Sequence, residues 1–150
     1  MNQNYKKMKE IRTEINIKAP IEKVWKILTN FSDYPNWNPF LRWLHGNVAV
    51  GNKIAVRITP PGANGMTFKP NVLKFDANRE FRWLGHLFIP GLFDGEHIFE
   101  LTDNGNGTIT FVQREQFKGV FIPFFRKMLD VNTKQGFEAM NDKLKEKAEE

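Results

Sequence analysis

The strongest constraint on the fold is the C-terminal segment, where apolar residues recur at helical spacing from Ile122 to about Lys147. Phe121, Phe124, Phe125, Met128, Leu129, Ala139, Met140 and Leu144 form one stripe, and Pro123 falls in the first turn, where a helix tolerates it. Roughly 26 residues at ~1.5 Å each predict a rod of about 39 Å. A rod that long in a small domain must cross most of the sheet it packs on. The sheet must curve around it, and such a grip cannot touch the helix everywhere.

The rest of the chain supplies that sheet. Glu10 to Ile17 alternates Ile11, Thr13, Ile15 and Ile17 with polar neighbours, the pattern of a half-buried strand. Ala19-Pro20 ends it, and Ile21, Val24, Trp25, Ile27 and Leu28 follow at helical spacing. Asn30 to Phe40 reads as a turn with a short helix near Asp33 to Trp37. Arg42 to Val50 and Lys53 to Thr59 predict a hairpin around Gly51-Asn52. After the Pro60 to Gly65 loop come strands at Met66 to Phe75, with Pro70 at a bulge or edge, and at Glu80 to Phe88. Glu96 to Leu101 and Thr108 to Phe117 predict the last hairpin. Setting Thr102 opposite Thr108 pairs Leu101 with Ile109, Phe99 with Phe111 and His97 with Gln113, with Glu115 beyond on the same inward face. The expected fold is α+β: a curved six- to seven-stranded antiparallel sheet around a long C-terminal helix, with two short helices after the first strand.

Length and patterning predict one domain over residues 1–150, with residues 1–8 frayed, burying roughly 70% of its unfolded surface. With 14 Phe and 4 Trp against 2 Tyr, its large rings offer apolar area with few polar handles. Zero Cys excludes disulfides, thiolate metal sites and a Cys nucleophile. His45 and His86 lack a second ligand at metal spacing, so neither metal nor other cofactor is expected. The net charge of +5 is spread out, and Lys143, Lys145 and Lys147 alternate with acids, so no nucleic-acid partner is expected. No signal-like or membrane-spanning apolar run is present, which predicts a cytoplasmic protein and leaves the sequons at Asn30 and Asn106 without meaning.

Three strings resemble the START-like, or Bet v 1-like (SRPBCC), superfamily, in its bacterial polyketide cyclase/dehydrase-like branch. Ala19-Pro20 with Val24-Trp25 is similar to its opening strand-to-helix signature. Phe31-Ser32-Asp33-Tyr34-Pro35-Asn36-Trp37-Asn38-Pro39 resembles its F-x-x-Y-P-x-W-N-P segment. Arg82-Trp83-Leu84-Gly85, Gly91 to His97 and Gln113-Arg114-Glu115 resemble an uncharacterised subgroup. The resemblance runs from Ile11 to about Leu144 and implies a helix-grip fold with a ligand cavity. It implies no particular reaction, since the superfamily spans carriers, receptors, cyclases and co-chaperones.

The expected function is binding or transport of a small hydrophobic ligand, such as a lipid, isoprenoid or aromatic polyketide. Candidate contacts are Trp43, Phe68, Trp83, Phe99, Phe111, Phe117, Phe121, Phe125, Met128 and Met140, each of which also reads as plain core, and Gln113, which would set orientation. His97 and Glu115 are the catalytic candidates, because a carboxylate beside an imidazole can shuttle a proton in a cyclisation or dehydration. Mutual hydrogen bonding is the simpler account, and the balance leans away from an enzyme. Asp94 reads as a turn former, and Tyr34 with Trp37 as a lid or a rigid corner. A third reading is a co-chaperone-like interaction module, for which Phe88 to Phe93 is the one apolar loop. The expected state is a monomer or weak homodimer without stable membrane insertion.

Overall fold

The computed structural model describes residues 8–150. Strand β1 (Met8–Ile17) buries Ile11, Thr13 and Ile17 on one face, as the alternation predicts. The expectation of fraying lies outside the described residues except at Met8, which already pairs with Lys118. Helix α1 (Ile21–Thr29) begins directly after Pro20 and buries Val24 and Leu28. A 3-10 turn (Phe31–Asp33) leads into the short α2 (Tyr34–Trp37). The fully buried Tyr34 hydroxyl donates to the Leu28 carbonyl, and burial pushes its phenol well above the usual tyrosine range. With Trp37 edge-on to Tyr34 at 5.5 Å, this segment is a fixed corner.

Among the described residues eight strands form two hydrogen-bonded sets. β2 (Leu41–His45), β3 (Ala55–Ile58) and β4 (Met66–Phe68) make a three-stranded sheet. β5 (Asn71–Asp76), β6 (Glu80–Leu87), β7 (Phe93–Asp103) and β8 (Ile109–Lys118) join β1 in the order β1-β8-β7-β6-β5. The two sets are stitched where Ile54 N donates to the Pro70 carbonyl and Val72 N to the Asn52 carbonyl, both at 2.9 Å. The tight hairpin expected at Gly51-Asn52 is in fact a wide connection, because His45 pairs with Ala55. The single strand expected from Met66 to Phe75 is two strands in different sheets. Pro70, which lacks an N–H, marks the crossing.

The β7–β8 hairpin forms with a register two residues away from the expected one. Thr102 faces Thr110, Leu101 faces Phe111, Phe99 faces Gln113 and His97 faces Glu115. The turn keeps its expected length of five residues but sits one residue later, over residues 104–108. Asn104 N bonds to the Thr108 carbonyl at 3.0 Å, Asp103 Oδ1 accepts from Gly105 N at 2.8 Å, and Gly105 and Gly107 take positive φ. A two-residue shift keeps every side chain on its face. It does change which residues meet.

The C-terminal helical path runs from Ile122 to Ala148, but not as a uniform rod. It enters through a 3-10 turn (Ile122–Phe125) and α3 (Arg126–Met128), loosens into a π turn (Leu129–Thr133), and ends in α4 (Lys134–Ala148). The 3-10 winding rotates the first rings off the stripe: Ile122 is buried, whereas Phe124 is 81% exposed. Further on, Phe137, Met140 and Leu144 pack fully into the core. Gly136 has a definite reason. A Cβ there would come within 2.5 Å of the Phe40 ring, which lies against the bare helix backbone.

On the outer face of the large sheet, Glu80 opposes Lys74 at 3.1 Å and Arg82 at 2.8 Å. Burial raises its carboxyl pKa, but hydrogen bonds and charge from Arg82 and Lys74 outweigh that and hold it below the usual value. A folded-state value below the unfolded one means that ionised Glu80 stabilises the fold at neutral pH. That contribution is lost as pH falls below the ordinary carboxylate range of about 4.3. Glu80→Gln is therefore expected to lower Tm near about pH 7 and to matter much less near about pH 3. Paired thermal melts at the two pH values check this.

Candidate ligand-binding site

The inward faces of β6 and β7 each carry a gap. Gly85 of β6 pairs directly with Gly95 of β7, so two neighbouring inward positions lack side chains. A glycine inside a strand weakens it and marks a close approach or a bend. Here the pair leaves room, and both glycines line a cavity of ≈ 120 Å³ between the sheets and the helix. Trp83 and Leu87 bound it along β6, Phe93 along β7, and Phe117 with Glu115 along β8. The helix contributes Met128, Leu129 and Thr133, the last two from the π turn. The opposite wall is Phe40, Ile58, β4 and the Pro60 to Asn64 loop. That loop is tied to the π turn by Asn132 Nδ2, which donates to the Pro61 carbonyl at 2.9 Å.

Among the described residues, Glu115 is the single ionisable one on these walls. Its Oε1 lies where a side chain at residue 95 would go, since a Cβ on Gly95 would approach it to 2.7 Å. Its Oε2 contacts His97 Nδ1 at 3.3 Å. Behind it runs a buried polar chain: His97 Nε2 to Gln113 Oε1 at 3.0 Å, Gln113 Nε2 to Asn141 Oδ1 at 2.7 Å, and Asn141 Nδ2 to Thr13 Oγ1 at 2.8 Å. Buried polar groups need partners, and each of these has one.

The direction of this chain is not free. Thr13 donates to the Gln113 main-chain carbonyl at 2.9 Å, a group that can only accept. The hydroxyl must then receive from Asn141, which turns the Asn141 oxygen toward Gln113. The Gln113 NH2 faces that oxygen and also the Phe137 carbonyl at 3.4 Å, so its own oxygen faces His97. His97 Nε2 therefore carries hydrogen. Its Nδ1 meets a carboxyl oxygen across a contact that becomes a hydrogen bond only when a proton sits on one of the two atoms. The imidazole is fully buried, stacked on Trp83 at 4.8 Å and flanked by Phe99 and Phe137 at 4.6 and 5.0 Å.

Of the residues singled out from the sequence, the structure gathers Phe68, Trp83, Glu115, Phe117 and Met128 on the cavity wall. His97 and Gln113 stand one layer behind, joined to the cavity through Glu115. Phe99, Phe111 and Met140 are fully buried away from it, with Phe99 and Phe111 stacked at 6.1 Å. Phe125 packs on Phe93 at 5.3 Å, Phe121 sits on the outside against Phe88 at 6.2 Å, and Trp43 stacks on His45 of its own strand at 4.4 Å. Sequence reasoning missed Phe40, Leu87, Phe93, the Pro60 to Asn64 loop and the two strand glycines. The glycines were the available signal. Asp94 is a turn former, its carboxylate accepting from Gly91 N at 3.0 Å while touching His86 Nδ1 at 2.7 Å.

Among the described residues no cluster of three or more His, Asp or Glu could hold a metal ion, and no helix is long and apolar enough to cross a membrane. A search of curated proteins finds no match. Solved structures match over most of the chain. An aromatase/cyclase, Zhui from Streptomyces sp. R1128, aligns with TM-score 0.73 and 15% identity, covering 95% of this chain and 94% of that one. Norcoclaurine synthase from Thalictrum flavum, in complex with a transition-state analogue, aligns at 0.70 with 16% identity, covering 94% of each. The protein MLL2253 from Mesorhizobium loti aligns at 0.67 with 25% identity, covering 92% and 95%. These likenesses support the helix-grip, Bet v 1-like fold. The family model for polyketide cyclase/dehydrase and lipid transport proteins matches residues 8–149, and the chain belongs to that family.

Proposed function

We propose that this protein binds a small, mainly apolar molecule in the cavity, with one polar group of that molecule meeting Glu115. The observation that carries this reading is the contrast in the wall: a lone carboxyl on an otherwise uncharged lining. Apolar surface supplies affinity at about 25 cal/mol per Å² before ordering costs, and one polar contact sets orientation. An apolar cavity of ~150 Å³ holds a benzene-sized guest, so ≈ 120 Å³ suits one ring or a short chain. A larger ligand requires the Pro60 to Asn64 loop to move, which breaks the Asn132 contact.

Trp83 reports occupancy directly, because it lines the cavity. Its emission, isolated as the signal lost in Trp83→Phe, is to be titrated with toluene, p-cresol and short-chain fatty alcohols. Saturable binding, tighter for the hydroxylated ring than for the hydrocarbon, is expected, and Glu115→Ala should erase that preference. Absence of saturable binding by every compound, together with no co-purifying small molecule in native mass spectrometry, refutes the reading.

One observation favours a second reading, proton transfer to or from the bound molecule. The polar chain turns His97 Nδ1 toward the Glu115 carboxyl at the cavity edge, an imidazole beside a carboxyl, which is the pairing that acid–base catalysis of a cyclisation or dehydration uses. Glu115→Gln would then abolish turnover and leave binding nearly intact. Parallel loss of both would favour orientation alone.

A further inference from the structure

The end of the molecule beside the cavity carries an exposed apolar ridge that the ligand site does not use. The β6–β7 loop and the segment after β8 are zipped together there, with Val120 N donating to the Gly91 carbonyl at 3.2 Å and Phe121 N to the Leu92 carbonyl at 3.0 Å. Gly119 permits this closeness, since a Cβ would fall 2.2 Å from the Leu92 oxygen. The zipper sets three rings in a row: Phe88 against Phe121 at 6.2 Å, and Phe121 against Phe124 at 6.4 Å. Phe88 is 67% exposed, Ile89 64% and Phe124 81%, with Val120 exposed beside them. Large rings held rigidly in water need an explanation.

Phe88 has φ of 70°, a left-handed conformation that costs a bulky residue free energy. Such strain persists where the surroundings hold it, often at functional positions. Here it projects a ring outward.

The charge around the ridge selects the partner. Lys118 and Lys127 are exposed within three residues of Phe121 and Phe124, and Arg126 lies on the same turn. The nearby acids are engaged: Asp94 by Gly91 N and His86, and Asp130 by Lys9. The surface is thus apolar at its crest and basic at its base, the arrangement that favours the interface of an anionic bilayer. The loop that bears Phe88 and Ile89 is bounded by Leu87 and Phe93, both of which line the cavity.

We infer that the Phe88–Ile89 and Phe121–Phe124 ridge docks this protein on the surface of anionic membranes. The inference stands apart from the ligand reading: docking is measured without ligand, and ligand binding without membrane. The test is cosedimentation of the full chain with phosphatidylcholine vesicles, with and without phosphatidylserine, across a salt series. Binding to the phosphatidylserine vesicles that weakens with salt is expected. The double variant Phe88→Ser/Phe124→Ser should lose at least about tenfold in partitioning with Tm unchanged, since both rings are solvated. Lys118→Glu/Lys127→Glu should remove the preference for phosphatidylserine.

Wild-type protein that stays in the supernatant with both vesicle types overturns the inference. So does a double variant that binds as well as wild type. If wild type fails to bind vesicles but self-associates in sedimentation velocity, and the serine variant does not, the ridge is a contact between copies and the membrane proposal falls.

Discussion

Gly85→Leu is expected to lower ligand affinity by about a hundredfold or more while leaving the fold intact. The position accepts a side chain without backbone strain, because its φ is not positive and a Cβ would meet Pro70 Cβ at an ordinary 3.6 Å. Beyond Cβ the isopropyl group would extend into the cavity that Gly85 lines. A strand also prefers Leu to Gly, so the variant should melt no lower than wild type. Gly95→Ala, across the pair, should behave differently. Its Cβ would fall 2.7 Å from Glu115 Oε1, displacing the carboxyl and so disturbing polar selectivity before capacity. Titration on Trp83 fluorescence with parallel melts separates the two. Unchanged affinity in Gly85→Leu would mean that ligands bind elsewhere.

Gln113→Leu is expected to be the most damaging near-isosteric change in the polar chain, costing about 2–6 kcal/mol. Gln113 is fully buried, and its two shorter side-chain bonds satisfy the His97 Nε2 hydrogen and Asn141 Oδ1, beside a longer one to the Phe137 carbonyl. Leucine would leave both without a partner, at about 1–3 kcal/mol each. Adding Asn141→Leu removes one orphan, so the double variant should lose less than the sum of the single losses. Urea unfolding of the two single variants and the double checks this. Strict additivity would show that the chain does not act as a unit.

Much of this architecture is legible in the sequence because it follows from periodicity. The alternation in β1 and the helical spacing in α1 and α4 each mark a buried face, and those faces are the ones buried. Two things escaped. The β7–β8 register depends on how the Asp103 to Thr108 side chains fold back on their own backbone, which hydrophobic pairing does not encode. A shift of two leaves the pattern equally satisfied, so His97 was set opposite Gln113 rather than Glu115. The cavity escaped for a related reason. Aromatic residues such as Phe99 and Phe111 look identical as core and as lining, whereas the space is made by side chains that are absent at Gly85 and Gly95.

The π turn at Leu129–Thr133 holds one residue more than regular winding would use over the same rise. Losing that surplus residue would close the wide turn into regular winding and leave the helix on either side in its present orientation. What would be reset is the wall built from the turn itself, Leu129 and Thr133, together with the Asn132 anchor for the Pro60 to Asn64 loop. Relatives that differ by a single deletion here would keep the same sheet but enclose a differently shaped chamber, a route to new ligands that changes no strand.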